Sequence, residues 1–91
     1  MIQIVSHLIG ENQPAWVCAE LGHNHQGRLS VASQMIQAAA GAGAHAVKLQ
    51  KRDVRNLYRP SLLNAPYEHE NSFGATYGAH RLALEFGQYE Y

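Results

Sequence analysis

Little in this chain points to a polyelectrolyte partner, an oxidising compartment or a membrane. Seven basic and seven acidic residues leave no net charge over 91 residues, so nucleic acid and anionic bilayers find no electrostatic footprint here. The lone cysteine, Cys18, excludes an internal disulfide; set in an apolar run, it reads as a small buried hydrophobe and not as a nucleophile. No apolar run approaches the roughly 18 residues of a membrane span, and the first residues lack the basic-then-apolar order of a signal peptide. A cytoplasmic chain is the expectation. Internal repeats and low-complexity tracts are also missing.

What is present is organised around residues 16–50. Val17-Cys18-Ala19-Glu20-Leu21-Gly22-His23-Asn24-His25-Gln26-Gly27 leads into a helix-like segment, and Ala44-His45-Ala46-Val47-Lys48-Leu49-Gln50 follows. Strand, glycine-punctuated loop, helix, turn and strand make the βαβ unit of a parallel sheet. Each crossover consumes a dozen or more residues, so this length holds about one. The ending Gln88-Tyr89-Glu90-Tyr91, without cap or polar tail, reads as a chain cut from something longer.

The first strand is expected over residues 15–20, after Pro14; its unalternating apolar run suits burial on both faces. Glu20 ends it, at the edge where α/β proteins place their sites, although a solvated loop acid fits that position equally well. In the helix, expected over 29–42, Leu29, Ala32, Ile36, Ala39, Ala40 and Gly43 form a narrow inward stripe. Ser30 is the candidate cap, Arg28 is a poor one, and Gly41 and Gly43 supply the stop. The second strand, 46–50, puts Lys48 and Gln50 on one face and Val47 and Leu49 on the other. A lysine in a buried strand is costly unless paired. It either reaches solvent from the strand end or binds an anion beside Glu20, and the second reading is preferred.

Around this unit, residues 2–5 and 7–10 can pair as a hairpin. His23 and His25 invite a metal, but two ligands do not complete a zinc shell and no further cluster is spaced to help; His25 and Asn24 are expected to hydrogen-bond the loop into shape. Residues 56–72, with Pro60 and Pro66, show no period and read as one long loop. Within it Glu68-His69-Glu70-Asn71 is a solvated run in preference to a cation site or a helix cap. A last helix is expected over 76–86, with Ala79, Leu82, Ala83 and Phe86 inward and Gly87 as its stop.

Ala19-Glu20-Leu21-Gly22-His23-Asn24-His25-Gln26-Gly27, then Ala42-Gly43-Ala44-His45-Ala46-Val47-Lys48-Leu49-Gln50, resembles the sialic acid synthase pattern A-E-I-G-x-N-H-x-G, helix, A-G-A-x-x-V-K-x-Q. Lys51-Arg52, Glu70-Asn71-Ser72-Phe73-Gly74, Tyr77-Gly78, His80-Arg81 and Leu84-Glu85-Phe86-Gly87 resemble its bacterial N-acetylneuraminate synthase subgroup. The resemblance implies an α/β fold that is a partial TIM (β/α)8 barrel: N-terminal hairpin, first βαβ unit, a long loop and one further helix. Residues 1–91 would be the N-terminal fragment of the barrel domain, without the later strands or the antifreeze-like C-terminal domain.

By the same resemblance, the activity is condensation of phosphoenolpyruvate with N-acetylmannosamine, releasing phosphate, in a homodimer. A divalent metal, manganese or magnesium, would be held by histidines on later strands, so none of the six histidines here is assigned to it. Glu20 would orient substrate or handle a proton, Lys48 would bind phosphoenolpyruvate, Gln50 would hydrogen-bond the sugar, and Asn71 would contact the amino sugar. Legionaminic and pseudaminic acid synthases share the pattern, which leaves the acceptor open. A stand-alone anion-binding or interaction module is the alternative from another class.

Overall fold

The computed structural model describes residues 1–91. The alternating apolar residues at the start pair as β1 (Ile2–Ile4) and β2 (His7–Ile9), antiparallel, with Ile2 opposite Ile9 and Ile4 opposite His7. The first strand of the βαβ unit, β3 (Cys18–Gly22), starts three residues later than the apolar run suggests. The cause is local: the Val17 N–H donates to His45 Nδ1 at 2.9 Å, and the Val17 carbonyl accepts from the His45 and Ala46 amides. Those bonds anchor the chain ahead of the ladder. β3 then runs parallel to β4 (Ala46–Leu49), with Cys18 beside Ala46, Glu20 beside Lys48, and an irregularity between Glu20 and Gly22.

Joining them is α1 (Leu29–Gly41). Ser30 does not cap it: Arg28 occupies the N-cap with no side-chain bond, and its amide donates to the His25 carbonyl. The C-terminus follows the sequence closely. Gly43 sits at φ 93°, its N–H reaches the Ala40 carbonyl, and the Ala44 N–H reaches that of Ala39, the paired bonds of a Schellman motif.

The inward stripe is only partly as read. Ala32 is buried and Val31, Met35 and Ala39 are half-buried, whereas Leu29 and Ile36 stay exposed. A two-stranded sheet is too narrow to cover a whole helical stripe, so Leu29 and Ile36 open onto a groove of about 620 Å³ shared with Leu49, Phe86 and Tyr91. For the same reason Cys18 is exposed, not buried, and Val17 with it. One crossover helix shields one face of β3, and no other element of these residues shields the second.

Residues 56–72 are not one loop. α2 (Val54–Leu57) and α3 (Pro60–Leu63) are single turns, too short to show a period, and Pro60 stands at the start of the second, where its preset φ and missing N–H fit. The last helix, α4 (Tyr77–Leu84), is capped by Thr76, whose hydroxyl accepts from the Ala79 N–H at 3.1 Å. It buries Gly78, His80 and Leu84, while Ala79, Leu82 and Ala83 are exposed. The apolar stripe misled because close approach decides this face: a Cβ on Gly78 would lie 2.9 Å from the Leu63 carbonyl oxygen. Glu85, already extended, ends α4 two residues before Gly87.

These elements make a small α/β fold with a radius of gyration of 17.0 Å and extents of 50 × 26 × 25 Å. A compact domain of this length has a radius of about 12 Å, so much apolar surface remains uncovered. No helix is long and apolar enough to cross a membrane.

Candidate active site

Parallel register sets Glu20 and Lys48 side by side at the carboxyl end of the strand pair, with Lys48 Nζ 3.1 Å from Glu20 Oε2. Both side chains are more than half exposed. An ion pair so placed contributes ~0–1 kcal/mol, so stability does not explain it. The pair stands at the carboxyl ends of the strands, outside which ligands of α/β proteins bind.

Glu20 Oε1 accepts the Gly22 N–H at 3.1 Å. A methyl on Gly22 would lie 3.7 Å from Glu20 Oε1 and 3.9 Å from Gln50 Oε1, so carboxylate and carboxamide converge over that glycine. Three of the four residues read from the sequence are thereby brought together. Asn71 is not among them. It lies in the exposed loop before α4, its amide donating to His69 Nδ1 at 3.2 Å, and it makes no hydrogen bond to Glu20, Lys48 or Gln50.

Behind this edge is a knot that pattern reading missed. The Glu85 carboxylate accepts from Lys51 Nζ at 3.0 Å and, through both oxygens, from the Arg52 amide at 3.2 and 3.1 Å. His23 Nε2 stands 2.6 Å from Glu85 Oε1 without hydrogen-bond alignment, so both ring nitrogens lack an aligned partner. Burial pushes the Glu85 carboxyl up; the Lys51 bond, the Arg52 amide and His23 together outweigh it and hold the group below its ordinary value. In the sequence Glu85 is a lone carboxylate between Leu84 and Phe86, and it and Lys51-Arg52 stand in segments that carry the family resemblance, but no spacing joins them.

His25 is fully buried and stacked on Phe86, centroids 3.8 Å apart. Its Nδ1 accepts the Gly27 N–H at 3.0 Å, which shapes the loop as expected and places the neutral ring's proton on Nε2. Burial, then neighbouring His23, lowers its pKa, partly opposed by Glu85. With Nδ1 so engaged, and no three His, Cys, Asp or Glu side chains clustered to hold a metal ion, these residues offer no metal centre.

A further histidine fastens the loop that carries Asn71. His80 Nδ1 accepts the Phe73 N–H at 3.1 Å, with the Tyr67 and Tyr77 rings against it, and burial, Arg81 and His69, in that order, lower its pKa from 6.5. The closed loop needs neutral His80. Its stabilisation is complete above pH 6.5 and is lost as pH falls below that value toward the depressed one, by at most about tenfold in the closing equilibrium per pH unit. Amide exchange at Phe73, corrected for its intrinsic pH dependence, should therefore accelerate as pH falls below about 6.5, and His80→Gln should flatten that rise. An unchanged profile in His80→Gln would assign the acid step elsewhere.

Residues 35–91 match the NeuB family. N-acetylneuraminate-9-phosphate synthase of Homo sapiens is 40% identical over 83 residues, 91% of this chain and 23% of the relative. The Drosophila melanogaster protein of that name is 41% identical over 76 residues, 84% of this chain and 20% of the relative. Spore coat polysaccharide biosynthesis protein SpsE of Bacillus subtilis is 42% identical over 57 residues, 63% of this chain and 15% of the relative. This chain thus spans about a quarter or less of the length of these curated relatives. No solved structure matches it. The matched profile covers well over half of the 91 residues and includes Lys48, Gln50, Lys51, Arg52 and Glu85, and the chain belongs to the NeuB family.

Proposed function

We propose that these residues form the opening of a NeuB-type synthase, in which β3 and β4 are the first two strands of a (β/α)8 barrel and the carboxyl edge is part of the mouth. The reaction is condensation of phosphoenolpyruvate with N-acetylmannosamine. C3 of phosphoenolpyruvate bonds to the aldehyde carbon of the open-chain sugar, whose oxygen takes a proton and becomes a hydroxyl. Water adds at C2, and the C2–O bond to phosphate breaks, giving a nine-carbon acid and inorganic phosphate. The observation that carries this reading is the register pairing of Glu20 with Lys48, with Gln50 converging on Glu20 over Gly22.

Lys48 meets the carboxylate or phosphate of phosphoenolpyruvate as a compact charge. Glu20, its partner, orients substrate or carries the proton that the aldehyde oxygen takes up. Gln50 hydrogen-bonds the sugar, and Asn71 contacts the amino sugar from its loop. The divalent metal of such an enzyme, manganese or magnesium, would supply polarisation of the aldehyde, and the family resemblance puts its ligands among histidines of later strands. The relatives' names span a 9-phosphate product and legionaminic acids. Since three carbons are added, a 9-phosphate requires an acceptor phosphorylated at C6, so that sugar belongs in the test beside the unphosphorylated one. The enzyme is proposed to work as a cytoplasmic homodimer.

A full-length protein carrying this sequence should release phosphate from phosphoenolpyruvate only when one of these acceptors is present. No acceptor-dependent release with either sugar, or with the diacetylated precursor of legionaminic acid, would overturn the reading. Residues 1–91 alone should give no product above blank with phosphoenolpyruvate, N-acetylmannosamine and manganese, since two strands do not close a barrel. Urea unfolding followed by circular dichroism separates the alternative of a stand-alone module: a cooperative transition of the isolated chain would support it, whereas the expanded shape and uncovered groove favour a marginal or aggregating chain.

A further inference from the structure

We infer that Arg52 is a positioning residue which fixes the orientation of the Gln50 carboxamide and so presents its NH2 group, not its oxygen, to the acceptor sugar; the inference rests on the proposed reading of Gln50 as a sugar contact. Arg52 Nη2 lies 2.9 Å from Gln50 Oε1. A guanidinium has donors only, so the atom facing it must be the carboxamide oxygen, and the ambiguity between the two ends of a side-chain amide is resolved. Gln50 Nε2 has no hydrogen bond within the chain and is the end left for a ligand. Gln50 Oε1, held by Arg52, shares the space over Gly22 with Glu20 Oε1, and the Glu20 carboxylate only accepts.

Arg52 has little freedom of its own. Nη1 donates to the Tyr58 hydroxyl at 3.2 Å, and Tyr58 stands edge-on to Tyr77 with centroids 5.3 Å apart. Its backbone N–H is held by both Glu85 oxygens. A planar fork spanning two acceptors is a task that lysine, a point charge on a flexible stem, does not perform. The knot around Glu85 thereby acquires a purpose: it carries the register of the buried end of α4 out to Gln50 at the mouth.

The test uses a full-length NeuB-family synthase with residues 1–91 of this sequence at its N-terminus. Arg52→Lys should raise KM for the acceptor sugar about tenfold, the loss expected for one misdirected hydrogen bond, with KM for phosphoenolpyruvate unchanged within twofold. In a Gln50→Ala background the same substitution should add nothing, because both act through one contact. With ¹⁵N-glutamine labelling, the side-chain amide signal absent in Gln50→Ala should move in Arg52→Lys. Tyr58→Phe, which frees one arm of the fork, should shift that signal and KM in the same direction by a smaller amount, and serves if Arg52→Lys does not fold.

Equal effects on both KM values, additivity with Gln50→Ala, or an unmoved signal would each overturn the inference. A moved signal together with a Gln50→Ala enzyme of normal acceptor KM would uphold Arg52 as the residue orienting Gln50 and overturn the reading of Gln50 as a sugar contact.

Discussion

Lys48→Met should cost the full-length synthase about a hundred- to a thousandfold in kcat/KM for phosphoenolpyruvate, the range seen when one preorganised donor to a developing or bound anion is removed. Methionine keeps the length and apolar stem of lysine, and the flanking residues Val47 and Leu49 are half-buried in β4, so the strand should persist and the loss should report the missing charge. Lys48→Arg keeps the charge but brings a longer planar fork, and its activity should fall between that of the parent and that of Lys48→Met. A rival account holds that Lys48 only neutralises Glu20, 3.1 Å away. Under that account Lys48→Met combined with Glu20→Gln should recover activity. If Lys48 instead binds the anion, the double variant stays at least as impaired as Lys48→Met. A Lys48→Met enzyme within threefold of the parent would remove Lys48 from the site altogether.

The parts of this geometry that could be read in the sequence are those written in local periods. Glycines at 41 and 43 after a small-residue helix fix where α1 stops, and the two strands flanking it face Glu20 and Lys48 toward one edge because a parallel register brings the ends of successive strands level. What escaped reading depends on contacts distant in sequence. Glu85 meets the Arg52 amide 33 residues away and His23 beyond it, and no spacing rule links such positions. The buried face of α4 escaped because it is built from Gly78 and His80, a missing side chain and a hydrogen-bonded ring, where a search for apolar residues finds nothing. Cys18 was misplaced for the opposite reason: an apolar run states what a strand tolerates on both faces, not what these 91 residues supply to cover them.

Gly27→Ala should be the most damaging single change to the scaffold, costing ~3–5 kcal/mol and, in a domain of ordinary marginal stability, abolishing soluble enzyme. Two costs combine. Gly27 sits at φ 74°, a left-handed conformation that disfavours any Cβ by about 1–2 kcal/mol. The new methyl would also lie 2.1 Å from the Ala83 carbonyl oxygen and 3.2 Å from its carbon, atoms of the backbone that no rotamer change can clear. α4 must then withdraw from the β3–α1 loop. That withdrawal separates His25 from Phe86, the two largest fully buried side chains, and draws Glu85 away from His23 and the Arg52 amide, so the damage passes through the knot to Gln50. Gly43→Ala is the matched control: φ is 93° there, yet nothing lies within 4 Å of a built Cβ, and only the conformational part of the cost, about 1–2 kcal/mol, should appear. Denaturant midpoints or melting temperatures of the two variants in the full-length protein decide the matter. Equal losses at positions 27 and 43 would mean that α4 does not rest on Gly27, and the connection from the loop through Glu85 to the mouth would fail with it.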